Sequence, residues 1–324
     1  MSLLSPLDGI IVAKTIFHGA HACHPAILTF CSLLLIPGEA WAWGMGVHVQ
    51  LGSQVLANLD QLPEATRLLL GAYPFDFLYG CISADIIVGK RFTHYLKHCH
   101  SWQVGEQVLA AAGNDAQRAC ATGYLAHLAA DTIAHSYLIP FKLVRTFNTV
   151  IHGHAYWEMR FEARVKAESW DLIRILCRKD FRQHDQLLQS TLARTLFSFR
   201  TNKRVFNSLL LLSRLEQWQK MLRSLGVHSR WAMDETDQDE YLELAAQAVG
   251  SVLSQGEASP FRRADPAGER ALLAARAIRN NLNLLWLDGK LPADEAERLL
   301  QEVKDRFRQS ITAPEQLLEL LSGY

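Results

Sequence analysis

The sequence predicts an all-α fold, a multi-helix bundle with a C-terminal helical extension. Three observations predict it. Apolar residues recur at helical spacing, as in Val47, Leu51, Val55 and Leu59. No run alternates apolar and polar residues as a half-buried strand does. Prolines fall between the periodic segments, at Pro63, Pro140, Pro292 and Pro314, where they end one helix or begin the next. A chain of 324 residues, 49% hydrophobic and 20% charged, has the composition of a packed protein and not of a disordered one.

Residues 1–42 read as a signal peptide. The run Ala26–Ile36 is nearly all apolar, too short for a bilayer span of about 20 residues but suited to a signal h-region. Pro37 and Gly38 break it, and Ala40-Trp41-Ala42 supplies a small-x-small cleavage site. The preceding region is weakly basic, with Lys14 offset by Asp8. Cleavage between Ala42 and Trp43 would send the chain to the periplasm or out of the cell and make Trp43 its first residue. Export would permit disulfides among Cys81, Cys99, Cys120 and Cys177, with three connectivities open.

Beyond the leader the helical segments are 103–111, 117–138 (ended by Pro140), 154–178, 185–198, 204–225, 238–254, 269–287 and 292–309. The last has Pro292 at its start and Asp294 and Glu295 in its first turn, and Pro314 opens a further short helix. The Gly- and Pro-bearing stretch 255–268 reads as a linker. This gives a domain at 43–235 and a C-terminal helical region at 236–324. The basic cluster Arg200, Lys203 and Arg204 reads as solvated surface. With 33 basic against 33 acidic residues, no dedicated nucleic-acid or other polyanion binder is expected.

Histidine is the informative residue type. Of 13, His18, His21 and His24 leave with the leader, and eight of the remaining ten lie between His48 and His154. Neutral imidazole is the commonest ligand of zinc-like ions. His127, Asp131 and His135 stand at i, i+4 and i+8, along one stripe of a helix otherwise built of Leu, Ala and Ile. An aspartate there needs a hydrogen-bond partner or a cation. His127 and His135 are about 12 Å apart along the axis, so they would serve different ions with Asp131 between them. His154 and Glu158, again i and i+4, form a second clamp. Asp85 lies in an apolar run, followed by His94, His98 and His100, of which His98 and His100 compete as ligands. At a cleaved N-terminus, the α-amino group and carbonyl of Trp43 could chelate an ion together with His48.

Assembled, these residues resemble the zinc-dependent phospholipase C family, whose superfamily includes single-strand-specific zinc nucleases and the N-terminal domain of glycosylphosphatidylinositol-specific phospholipase D. The order Trp43, His48, Asp85, His100, His127, Asp131, His135, His154, Glu158 matches the family's order over residues 43–165. The resemblance implies three zinc ions. Asp85, His100 and His127 would hold one, with Asp131 bridging; His135, His154 and Glu158 a second; Trp43, His48 and Asp131 a third. The interval from Asp85 favours His100 over His98. The Asp131-to-His135 spacing looks like the phospholipase D branch.

The function this implies is a secreted zinc-dependent phosphodiesterase, hydrolysing phospholipid head groups, with Asp85, Asp131 and Glu158 as the carboxylates of the catalytic centre. The expected partners are a phospholipid or other phosphodiester substrate and a membrane surface contacted peripherally. The alternatives are a single-strand nuclease or nucleotidase on the same metals, a glycosylphosphatidylinositol phospholipase D-like activity, and a non-catalytic zinc-binding protein.

Overall fold

The computed structural model describes residues 44–87, 99–149, 154–192, 198–213, 220 and 235–317. Residues 1–42, where a signal peptide is expected, and Trp43, His94, His98 and His152 lie outside the described residues. Among the described residues every regular element is helical, so the fold is all-α.

Helix α1 (Met45–Ala57) is followed by α2 (Glu64–Ala72) and α3 (Pro74–Ser83), whose first residue is a proline that needs no intrahelical N–H bond there. A single 3-10 turn, Ala84–Ile86, extends α3. Helix α4 (Trp102–Ala110) starts at the Ser101 cap, whose hydroxyl accepts from the Val104 N–H. Helix α5 (Asp115–Ile133) starts at Asn114, which accepts from the Gln117 N–H at 2.9 Å.

Helix α5 is buried on nearly every side from Ala119 to Ile133, as befits a central helix. It packs on α3 where Gly80 faces Gly123. A Cβ at either position would strike the other helix's backbone, so the two helices touch main chain to main chain. That close approach matters for the site, because the Cys81 carbonyl is brought to α5.

After α5 the chain does not stop at Pro140. Residues Ala134–Leu138 form a π-helical turn, and α6 (Ile139–Arg145) continues from it with Pro140 in its first turn. The widened turn removes the hydrogen bond that a proline would break. The expected single helix over 154–178 is two, α7 (His154–Glu162) and α8 (Ala167–Leu176), and α9 (Arg182–Thr191) and α10 (Phe199–Ser213) follow. Lys203, read from sequence as solvated, turns inward and lies 3.1 Å from Asp185 beside Tyr79, while Arg200 and Arg204 are exposed.

Helix α11 (Glu235–Gln255) packs on α5, and α12 (Glu269–Leu287) and α13 (Ala293–Ser310) pack on α6 and the π turn. Their polar fastening is Lys142, 1% exposed, whose Nζ donates to Asp237 Oδ2 at 2.6 Å among the rings of Phe141, Trp157 and Tyr241. Lys304 joins Asp237 and Glu240 from α13, and Tyr137 donates to Glu240 at 2.8 Å. Segment 255–268 is not a loose tether. It forms two short 3-10 turns, and the Ala264 carbonyl accepts from the Trp102 indole at 2.8 Å. Composition marks such a stretch as irregular backbone; it does not say whether that backbone packs.

Candidate metal centre

The helices converge on one buried cluster. His48 comes from α1, Asp85 from the turn after α3, His100 from the turn before α4, His127 and Asp131 from α5, His135 from the π turn, and His154 and Glu158 from α7. All are buried except His154, which is half-buried.

Asp131 stands at the middle. Its Oδ1 is 3.3 Å from His48 Nε2, and its Oδ2 is 3.1 Å from His100 Nε2 and 3.2 Å from His127 Nε2. His135 Nδ1 lies 4.0 Å from the same oxygen. Among the described residues neither Asp131 oxygen meets a donor in good hydrogen-bond geometry, although the residue is completely buried. His100 Nε2 is also 3.3 Å from Asp85 Oδ1. On the far side, His154 Nε2 is 2.7 Å and His135 Nε2 3.9 Å from Glu158 Oε1.

Two backbone carbonyls set the tautomers. His127 Nδ1 donates to the Cys81 carbonyl at 2.8 Å, and His135 Nδ1 donates to the Pro266 carbonyl at 2.6 Å. With Nδ1 committed to a carbonyl, Nε2 is the nitrogen of each ring that faces inward. His127 Nε2 and His100 Nε2 lie 3.0 Å apart, two ring nitrogens aimed at each other. The rings of His48 and His127 stack at 3.8 Å.

Electrostatics agree with a cation-binding role. Burial, then the neighbouring His127, hold the His48 imidazole down to about 4, so it is neutral at physiological pH. Burial by itself would raise the Asp131 carboxyl, but His127, His135 and His100 override it and hold the group well below the usual carboxylate range. An ionised carboxylate buried among imidazole nitrogens, with no contact to water, is placed as a metal bridge would be. Nitrogen and carboxylate oxygen donors of this kind fit zinc.

Among the described residues three sets of donor atoms lie within 4.8 Å of one another: His48, Asp85 and His127; His100, His127 and Asp131; His135, His154 and Glu158. The last set is the grouping that the resemblance implies. The other two share His127, and so differ from an assignment that places His48 with Asp131 and His127 with Asp85 and His100. The carbonyls of Cys81 and Pro266 carry no side-chain signature, which is why sequence reasoning missed them. Among the described residues Cys81, Cys99, Cys120 and Cys177 are free thiols, the first three buried, and no disulfide joins them. Burial pushes the Cys81 thiol far up, so without a bound cation it stays protonated.

The zinc dependent phospholipase C family model matches residues 47–206, a span that contains every donor of the cluster. No curated protein and no solved structure matches the chain. Through residues 47–206, the chain belongs to the zinc-dependent phospholipase C family.

Proposed function

We propose that the protein is a secreted zinc-dependent phosphodiesterase that hydrolyses phospholipid head groups in the manner of a phospholipase C. Family membership supports a hydrolase acting on phosphodiesters, with a phospholipid as substrate. The observation that carries the reading is the buried Asp131 carboxylate, shut off from water and ringed by the imidazole nitrogens of His48, His100 and His127 at 3.1–3.3 Å.

Zinc, when bound, supplies Lewis acidity: it lowers the pKa of a water nucleophile and neutralises phosphoryl charge. The chain's part is to hold and orient. His135, His154 and Glu158 form one clamp; His48, Asp85, His100, His127, Asp131 and the N-terminal Trp43 form the rest, for three ions in all. Asp85, Asp131 and Glu158 supply the anionic charge. The Cys81 and Pro266 carbonyls keep the two α5-side imidazoles in the donor tautomer. Burial of the cluster excludes bulk water, so charges there act more strongly on a phosphodiester.

Among the described residues no helix is long and apolar enough to cross a membrane. The proposed contact with the lipid surface is peripheral, through the end of α12. Leu284, Leu285, Trp286 and Leu287 are all exposed there. Four consecutive helical residues cover the whole circumference, which suits a surrounding medium better than a single flat partner. Trp286 is of the type that sits at membrane–water interfaces.

The test is substrate profiling of zinc-loaded protein that begins at Trp43. Phosphatidylcholine should yield diacylglycerol and phosphocholine. Cleavage of single-stranded DNA with no action on phosphatidylcholine would move the activity to a nuclease. Hydrolysis of neither, with zinc bound, would leave a non-catalytic zinc protein.

A further inference from the structure

Helix α7 carries one more carboxylate in register with its clamp. His154, Glu158 and Glu162 stand at i, i+4 and i+8. Glu162 is aimed at the start of α1, which Gly44 caps with no side chain and which has no acidic residue in its first turn. Glu162 Oε1 accepts from the Gly46 N–H at 2.7 Å, and Oε2 accepts from the Val47 N–H at 3.3 Å. The Gly46 N–H is a first-turn donor that the helix itself leaves open, whereas the Val47 N–H is shared with the Gly44 carbonyl at 3.0 Å. A carboxylate at that end is also favoured by the helix dipole. The residue following Val47 is His48, which faces Asp131.

The sequence makes room for this contact. A Cβ on Gly44 would meet the Glu162 carboxyl carbon and both its oxygens, and one on Gly46 would lie 2.8 Å from Oε1. A separate tie holds α1 in place, because Gln50 Oε1 accepts from the Lys166 N–H at 3.0 Å. Glu162 is therefore not needed merely to keep α1 on the protein.

We infer that Glu162 is a positioning residue: it fixes the first turn of α1 against α7, so that His48 and the His154–Glu158 clamp are set relative to each other by one carboxylate. The inference rests on the zinc-site reading.

The experiment is zinc titration of chelator-stripped protein that begins at Trp43, with helicity measured alongside. Glu162→Ala should weaken one class of zinc binding by about 10- to 100-fold while helicity is kept. Glu162→Gln, whose amide oxygen still accepts one N–H, should fall between. Gly44→Ala should mimic Glu162→Ala, and the Gly44→Ala/Glu162→Ala double variant should be no worse than Glu162→Ala, because the carboxylate that the new methyl strikes is gone. In a His48→Ala background Glu162→Ala should have no further effect on zinc. Unchanged zinc affinity in Glu162→Ala, or full additivity with His48→Ala, overturns the positioning role. Absence of zinc binding by the wild-type protein would overturn the zinc reading itself.

Discussion

His135 and Pro266 are 131 residues apart, yet the Nδ1 proton of the one is donated to the carbonyl of the other at 2.6 Å. The bond ties the segment between α11 and α12 to the donor cluster, and it fixes which nitrogen of His135 faces inward. Gly268, two residues on, has φ of +64° and lies against the His135 backbone. The segment thus works as an outer support for a candidate metal ligand.

Gly268→Ala tests that support. The new methyl has to fit against His135 in a backbone conformation that L-residues avoid, costing about 1 kcal/mol or more. The expected outcome is a lower unfolding midpoint and a zinc affinity reduced about tenfold or more, read by urea denaturation and chelator competition.

Lys142→Ala tests the fastening of the C-terminal helices. The substitution leaves Asp237 with Lys304 alone and empties a site walled by Phe141, Trp157 and Tyr241. Because Asp237 is a quarter exposed and keeps Lys304, the cost is about 1–3 kcal/mol, that of a lost charged hydrogen bond. Urea unfolding should show a loss of that size, with the far-ultraviolet spectrum of the native state unchanged.

His48 gives the zinc-free protein a defined acid sensitivity. Its imidazole ordinarily titrates near 6.5 and is held down to about 4 in the folded chain. Between these values the unfolded chain carries a proton that the folded chain does not. Stability therefore rises with pH through this window and is lost as pH falls from 6.5 towards 4. Unfolding free energies at a series of pH values should show the slope, and His48→Gln should make it shallower.

The end of α12 is tested by Trp286→Ser/Leu287→Ser. Vesicle co-sedimentation should fall about tenfold or more, because two large side chains no longer leave water on docking. Hydrolysis of a short-chain, monomeric phospholipid should be unchanged. Undiminished vesicle binding would remove α12 as the contact.

The legible part of the site was the part written in helical periodicity. His127, Asp131 and His135 share a stripe, and His154 and Glu158 share another, so one-dimensional spacing located both clamps. Extending the second stripe by one turn would have found Glu162. The π turn was not legible, because nothing in Ala134–Leu138 distinguishes a widened turn from an ordinary one, and Pro140 then read as a helix end. The break between α7 and α8 went unseen for a related reason: it contains neither Gly nor Pro. Residues 255–268 were read as a linker from composition, whereas their carbonyls do structural work at His135 and Trp102. Lys203 was read as solvated because its partners, Asp185 and Tyr79, are distant in sequence. Main-chain acceptors and long-range ion pairs leave no local pattern.

The most direct measurement is the product of phosphatidylcholine hydrolysis by the zinc-loaded protein, before and after chelation, with Asp131→Asn as the paired variant. The expected result is phosphocholine and diacylglycerol, abolished by chelation, restored by zinc, and lowered at least 100-fold in Asp131→Asn. Hydrolysis that survives zinc removal or the loss of the Asp131 charge would contradict a centre built on that carboxylate, and so would no hydrolysis at all with zinc bound.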